Sequence, residues 1–308
     1  MTQYIARRIV QLIPPLLGLS IILFVLMRIG GDPVAHLVRP EAGPEEVAAV
    51  RAAYGFDRPL HEQYLTSLGM LARGDFGESV RFRAPAMPLV LERLPATLQL
   101  ATAAIIVAIL LAIPIGLISA LFQNSPLDIA LTLSSTLGRA MPNFWLGIML
   151  ILLFAVQLRW LPVSGTGDWT HLVLPAVTLG TGIAPALARL LRSSLIEVLR
   201  REYVVTARAK GLKESIVVLR HALRNAMIPF VTILGLQIAW LLGGAVIVEE
   251  VFAWPGMGRL IYRSVQVRDL AVVQAGVFIF ALIVMVSNLL VDLSYALLDP
   301  RINYNDQS

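Results

Sequence analysis

From Leu98 to Leu121 the chain carries no charged side chain. A helix rising about 1.5 Å per residue over that length reaches from one face of a bilayer to the other. In hydrocarbon every backbone N–H and C=O must be paired within the chain, so such a stretch folds as a helix. Five more stretches are predominantly apolar over a similar length: Ile9 to Ile29, Thr136 to Leu158, Leu172 to Leu191, Met227 to Val248 and Ala271 to Leu290, the last extending to Leu298 past Asp292. The expectation is an all-α polytopic membrane protein with six transmembrane helices. Pro142, Pro175 and Pro185 fall inside these spans and predict kinks, since proline removes a helical hydrogen bond that neighbours must replace.

Composition supports the same class, with 57% hydrophobic and 15% charged residues and a mean hydropathy of +0.76, against about a quarter charged in soluble domains. Arg7 and Arg8 before the first stretch are compatible with a cleavable signal. However, the stretch is too long and no small-residue cleavage site follows, so it reads as a retained span. The chain has no cysteine, which removes disulfides, thiolate metal sites and a cysteine nucleophile. The net charge of +5 fits cytoplasmic loops facing anionic lipid and partner proteins better than nucleic acid on so apolar a chain.

Lys and Arg near span ends are held in the cytoplasm. Between the fourth and fifth spans lie Arg192, Arg200, Arg201, Arg208, Lys210, Lys213, Arg220 and Arg224, so this segment is read as cytoplasmic and both termini with it. The opposite face has Arg159 in one loop, and Arg259, Arg263 and Arg268 beside Glu249, Glu250 and Asp269 in another. Phe122 to Ser135, without Lys or Arg, is read as a loop. The chain then divides into residues 1–30 with the first span, an extracytoplasmic region 31–96, and a core 97–308 holding the other five spans and a cytoplasmic segment 192–226. In the outer region, Glu45 to Tyr54 and His61 to Leu71 have helical apolar spacing, punctuated by turns at Asp57-Arg58-Pro59 and Gly74-Asp75-Phe76-Gly77.

In the cytoplasmic segment, Ser194 followed by Glu197 matches a capping box. Arg208 and Lys210 before Gly211 match a helix C-terminus, which predicts a short helix from Glu202 to Lys210 that ends at Gly211. Ile216, Leu219 and Leu223 give a second helix an apolar face running into the fifth span at Pro229. A short helix displayed between breaks suits docking into a groove of a soluble partner. A basic loop retained only by the positive-inside rule has the same composition, and the residues alone leave both readings open.

The string Glu202-Tyr203-Val204-Val205-Thr206-Ala207-Arg208-Ala209-Lys210-Gly211-Leu212, followed by Arg220-His221-Ala222-Leu223-Arg224-Asn225-Ala226 and Pro229, resembles the EAA loop of ABC importer permeases. It is closest to the dipeptide and oligopeptide branch, whose members also carry glutathione and nickel complexes. Val205-Thr206-Ala207 stands where Glu-Ala-Ala is common, and Leu223-Arg224 where Leu-Pro is common, departures the peptide branch shares. Gly31-Asp32-Pro33, Gly74-Asp75-Phe76-Gly77-Glu78-Ser79, Arg93-Leu94-Pro95-Ala96-Thr97-Leu98, Pro142-Asn143-Phe144-Trp145-Leu146-Gly147, the run from Val248 to Gly258, and Asp299-Pro300-Arg301 extend the resemblance over nearly the whole chain.

The resemblance implies a type I ABC importer permease fold and a transport subunit rather than an enzyme. It also implies a second homologous permease, two ATP-binding cassette ATPases that carry ATP and Mg, and an extracytoplasmic solute-binding protein. Glu202, Tyr203, Thr206, Ala207, Arg208, Ala209, Lys210, Gly211 and Leu212 would form the coupling helix seated in one ATPase. Neither Lys210 nor Lys213 lies in a phosphate-binding Gly-x-x-x-x-Gly-Lys-Ser/Thr context, so this chain has no such loop of its own.

Polar residues inside spans are candidates for a passage, here Asn143, Gln237 and Glu249, although interhelical hydrogen bonds explain such residues equally well. Arg28, Arg139, Arg189 and Asp292 lie near span ends and read as snorkelling or paired groups. Trp145, Trp160, Trp240 and Trp254 lie in or near spans, and those at the ends fit an aromatic belt. His61-Glu62 begins a zinc-protease pattern, but Leu65 stands in the place of the second histidine, and no metal site is expected. No Gly-x-Ser-x-Gly elbow is present to mark a serine hydrolase. An ion-coupled secondary transporter needs mid-membrane ionisable groups and internal repeats, neither of which is evident, and a receptor or scaffold is the third class considered.

Overall fold

The computed structural model describes residues 10–29, 43–53 and 55–298, and in these the chain is helical, with a single isolated bridge between Glu78 and Pro85. Arg7, Arg8, Gly31-Asp32-Pro33, His36 and Asp299-Pro300-Arg301 lie outside the described residues, as do the side chains of Arg139 and Asp292. The chain forms two compact units: described residues up to Arg93 with Leu260–Met285, and Leu94–Arg259 with the residues from Val286 on.

In the first unit, helix α1 (Ile13–Ile29) is followed by α2 (Pro44–Ala53) and α3 (Leu60–Ala72), close to the two short helices predicted there. Tyr64 of α3 reaches α1, its hydroxyl 2.7 Å from Ser20 Oγ and its ring edge-on to Phe24 at 5.3 Å. Arg28 lies 3.5 Å over the Phe24 ring and donates to Gln63, so this cation near the end of α1 has partners within its own unit. The loop after α3 turns at Gly74 and Gly77, both at positive φ. Ser79 and the Arg81 N–H then donate to the buried carboxylate of Asp269.

The second unit begins in α4 (Ala86–Leu121) and continues through α5 (Pro126–Ala140), α6 (Asn143–Leu150, extended by π-helical turns to Gln157) and α7 (Thr170–Leu199). It then passes through α8 (Glu202–Ala209) to α9, a continuous Glu214–Val251 helix whose Val217–Ala222 turns are π-helical. Helix α10 (Met257–Gln266) leads to α11 (Leu270–Leu298), and of these two the residues Leu260–Met285 belong to the first unit. Four of the described helices, α4, α7, α9 and α11, are long and apolar enough to cross a membrane, and the pair α5–α6 makes a fifth if its two arms count as one span. Helix α1 is apolar but shorter.

Packing in this unit centres on α7, where Leu179, Ile183, Leu187, Leu191 and Leu195 recur every fourth residue and are almost fully buried. Helix α4 meets it with the small buried residues Ala104, Ala108 and Ala112. A Cβ on Gly180 would lie 2.6 Å from the Ala104 carbonyl oxygen, and one on Gly116 would lie 2.8 Å from that of Ala188. Small residues at crossings let backbones approach closely, the main source of helix association where lipid removes the hydrophobic drive.

Three expectations are corrected. The predicted span Thr136–Leu158 starts within the last turn of α5, and the kink expected at Pro142 is a bend of 102° between Pro126–Gly138 and Asn143–Gln157. Pro142 has no N–H to give and pushes Met141 out of the helical region, to φ −79° and ψ 128°. The predicted loop Phe122–Ser135 is helical from Pro126, because Ser125 caps the helix from the side-chain oxygen and Pro126 occupies its first turn. Finally, Ser194 caps nothing: it sits inside α7 and donates to the Ala226 carbonyl, while Glu197 pairs with Arg201.

Candidate functional site: a displayed basic helix and a two-amide cavity

Helix α8 is held by a small apolar cluster of its own, in which Val204 and Ala207 pack on Val217 with Val198 and Leu199 alongside. Among the predicted coupling residues only Ala207 faces inward. Glu202, Tyr203, Thr206, Arg208, Ala209, Lys210, Gly211 and Leu212 are all exposed, as is Val205. Glu202 lies in the first turn and Arg208 in the last, each at the end of the helix dipole that favours its charge.

The helix ends in a Schellman arrangement, with Gly211 N–H donating to the Arg208 carbonyl at 2.9 Å and Leu212 N–H to that of Ala207 at 3.4 Å. Gly211 is at φ 75° with open space around its α-carbon, so glycine is needed there for backbone conformation and not for room. Across the break Arg208 forms a two-pronged pair with Glu214, at 3.1 and 2.6 Å, and that hydrogen-bonded carboxylate raises the guanidinium above its ordinary value. Asn225 Nδ2 donates to Tyr203 Oη at 2.9 Å, tying the first turn of α8 to the base of α9. Val204, Val217, Glu214 and Asn225 support this display without being foreseen in that role. The apolar spacing of Val204 and Ala207 on a short helix was the available signal.

Asn143 and Gln237 come together on the wall of one cavity of about 690 Å³, which is also lined by Phe144, Gly182, Trp240 and Gly244. The sequence places Trp240 only in or near a span. Here its ring edge presses on Gly182, where an added Cβ would lie 2.7 Å from Cη2.

Glu249 is not on that wall. Its carboxylate is fully buried, accepting from Thr97 Oγ1 at 2.7 Å and from the Arg259 N–H at 2.8 Å. Thr97 Oγ1 in turn accepts from the Met257 N–H, and Trp254 Nε1 donates to the Ala96 carbonyl at 2.9 Å. The strings Arg93–Leu98 and Val248–Gly258, far apart in sequence, are thus knotted together around one carboxylate at the start of α10. Trp254 is buried in this knot and belongs to no aromatic belt.

Residues 112–304 match the family described as binding-protein-dependent transport system inner membrane component, and residues 1–101 match its N-terminal companion. The chain is 43% identical to the glutathione transport system permease protein GsiC of Salmonella choleraesuis (strain SC-B67), over 99% of this chain and all of that one. It is 41% identical to the oligopeptide transport system permease protein AppB of Bacillus subtilis (strain 168), with the same coverage. Among solved structures, the MetNI methionine ABC transporter in inward-facing conformations aligns with a TM-score of 0.58 at 19% identity, covering 67% of this chain and 94% of that one. The α7–α9 core with its displayed α8 is therefore built on an ABC transporter permease fold, and the chain belongs to the binding-protein-dependent transport system inner membrane components, the multi-pass permeases of peptide and glutathione ABC importers.

Proposed function

We propose that this permease imports small peptides, or glutathione as a peptide-like solute, delivered by an extracytoplasmic binding protein. Two ATPase subunits supply the energy by hydrolysing ATP with Mg, and a second homologous permease completes the passage. The full-length similarity to relatives named for glutathione and oligopeptide transport supports this substrate class. In this reading the chain crosses the membrane six times with both termini in the cytoplasm, and residues 31–96 face outward.

Glu202 to Leu212 is the coupling element. The observation that carries this reading is the display of α8: Val204 and Ala207 anchor it, while the surface formed by Tyr203, Val205, Thr206, Arg208 and Leu212 is exposed. When ATP draws the ATPases together, a seated α8 must follow. The Arg208–Glu214 pair and the Tyr203–Asn225 bond pass that movement into the base of α9. A conformational change requires such a differential contact between states.

The test uses the assembled importer in proteoliposomes. A Cβ at Gly211 meets nothing within 4 Å, and Gly211→Glu or Gly211→Arg adds only about 1–2 kcal/mol of left-handed strain, so insertion survives. Uptake and solute-stimulated ATPase should fall at least about tenfold, as loss of more than 1.4 kcal/mol of docking energy requires. A photo-crosslinker at Val205 should capture an ATPase subunit. Normal uptake by the Gly211 variants, or capture of no ATPase, refutes the coupling role.

A further inference from the structure

The side-chain amides of Asn143 and Gln237 share a cavity, and neither makes a hydrogen bond within the described chain. The amides of Gln63, Asn225 and Gln274 each find a partner inside it. A half-buried amide left without a partner in apolar surroundings is costly, so these two groups are left for water, for the second permease or for a solute. Asn143 is also positioned: its Oδ1 would stand 3.1 Å from a Cβ on Gly182, and its Nδ2 3.5 Å from one on Gly244. Two glycines thus leave space at both ends of one amide, and the Trp240 ring closes the side next to Gly182.

We propose that Asn143 and Gln237, framed by Trp240, form a subsite that recognises the peptide groups of the passing solute and ignores its charge. This inference rests on the reading that the cargo carries amide bonds. A carboxamide presents one acceptor and two donors, the complement of a peptide N–H and C=O. None of the described residues lining the cavity is charged, whereas passages that select by charge are lined by charged rings. The volume of about 690 Å³ falls within the range of small-ligand sites. Trp240, nearly half exposed, supplies a flat apolar face against which solute side chains of any charge can lie.

The test is uptake of labelled Ala-Ala, Ala-Glu and Ala-Lys by the complete importer in proteoliposomes, each rate normalised to the affinity of the binding protein for that dipeptide. The wild-type complex should move all three at rates within about threefold. Asn143→Leu with Gln237→Leu should lower uptake of all three by about tenfold, the loss of two ordinary hydrogen bonds, with stimulated ATPase within about twofold of wild type. Gln237→Glu should raise the ratio of Ala-Lys to Ala-Glu uptake by about tenfold. Undiminished uptake by the double variant, joint loss of uptake and ATPase, or an unchanged ratio in Gln237→Glu would each overturn the subsite while leaving the cargo class standing. Failure of the wild-type importer to move either these dipeptides or glutathione would instead overturn the cargo class and the subsite with it.

Discussion

Glu249 shows how one side chain can set the identity of its neighbours. Its carboxylate takes the Thr97 hydroxyl and the Arg259 N–H, and a Cβ on Gly256 would lie 2.1 Å from it, so the chain can pass there only as glycine. Glu249→Ala strands both donors in a buried site, at a cost of about 2 kcal/mol. We expect the melting temperature of the detergent-solubilised complex to fall by roughly 4–8 °C, and Gly256→Ala to do at least as much harm. Melting curves that superimpose on wild type for both variants would show that the knot does not hold the fold. An acidic residue near a span end is visible in the sequence as a functional candidate, yet its partner Thr97 lies 152 residues away, and only that contact separates an anchor from a passage residue.

At the scale of the element, the start of α5 is fastened to α7 by Asp128. Arg192 Nε and Nη2 donate to its two carboxylate oxygens at 2.8 and 2.6 Å, and the Asn124 N–H donates to Oδ2. Asp128 is almost wholly buried, whereas the Arg192 side chain keeps 27% of its exposure. Breaking the pair should therefore cost about 2 kcal/mol, below the 3–5 of a fully buried one. Asp128→Asn and Arg192→Met should each destabilise the complex, and the double variant should cost less than the sum of the two because neither charge is then stranded. Strict additivity in this cycle would mean that the two side chains act separately. The Ser125-Pro126-Leu127-Asp128 start is a legible helix signal. The absence of Lys and Arg from Phe122 to Ser135 carries no information against a helix there.

At the scale of the molecule, the absence of cysteine makes topology directly measurable. On the orientation proposed above, single cysteines at Lys210 and Gln123 should react with a membrane-impermeant maleimide only after the inner face is opened. Single cysteines at Gly77 and Asp168 should react in intact cells once the outer membrane, where present, has been permeabilised. Labelling of Lys210→Cys from outside would invert the orientation and remove any ATPase from reach of α8.

Hydrophobic length, positive charge placement and the string around Gly211 were enough to determine the helical class, the transporter family and the short displayed helix, because each depends on residues close together in the chain. The short helix was legible for the same reason: Arg208, Lys210 and Gly211 end it through local backbone geometry. Tertiary structure decided what local pattern could not. It drew Asn143 and Gln237 to one cavity and buried Glu249 among donors from α4 and α10. An isolated polar residue in an apolar helix has the same sequence signature whether it faces a passage or a partner, and the outcome is set by which helix packs against it and whether that helix offers a hydrogen bond.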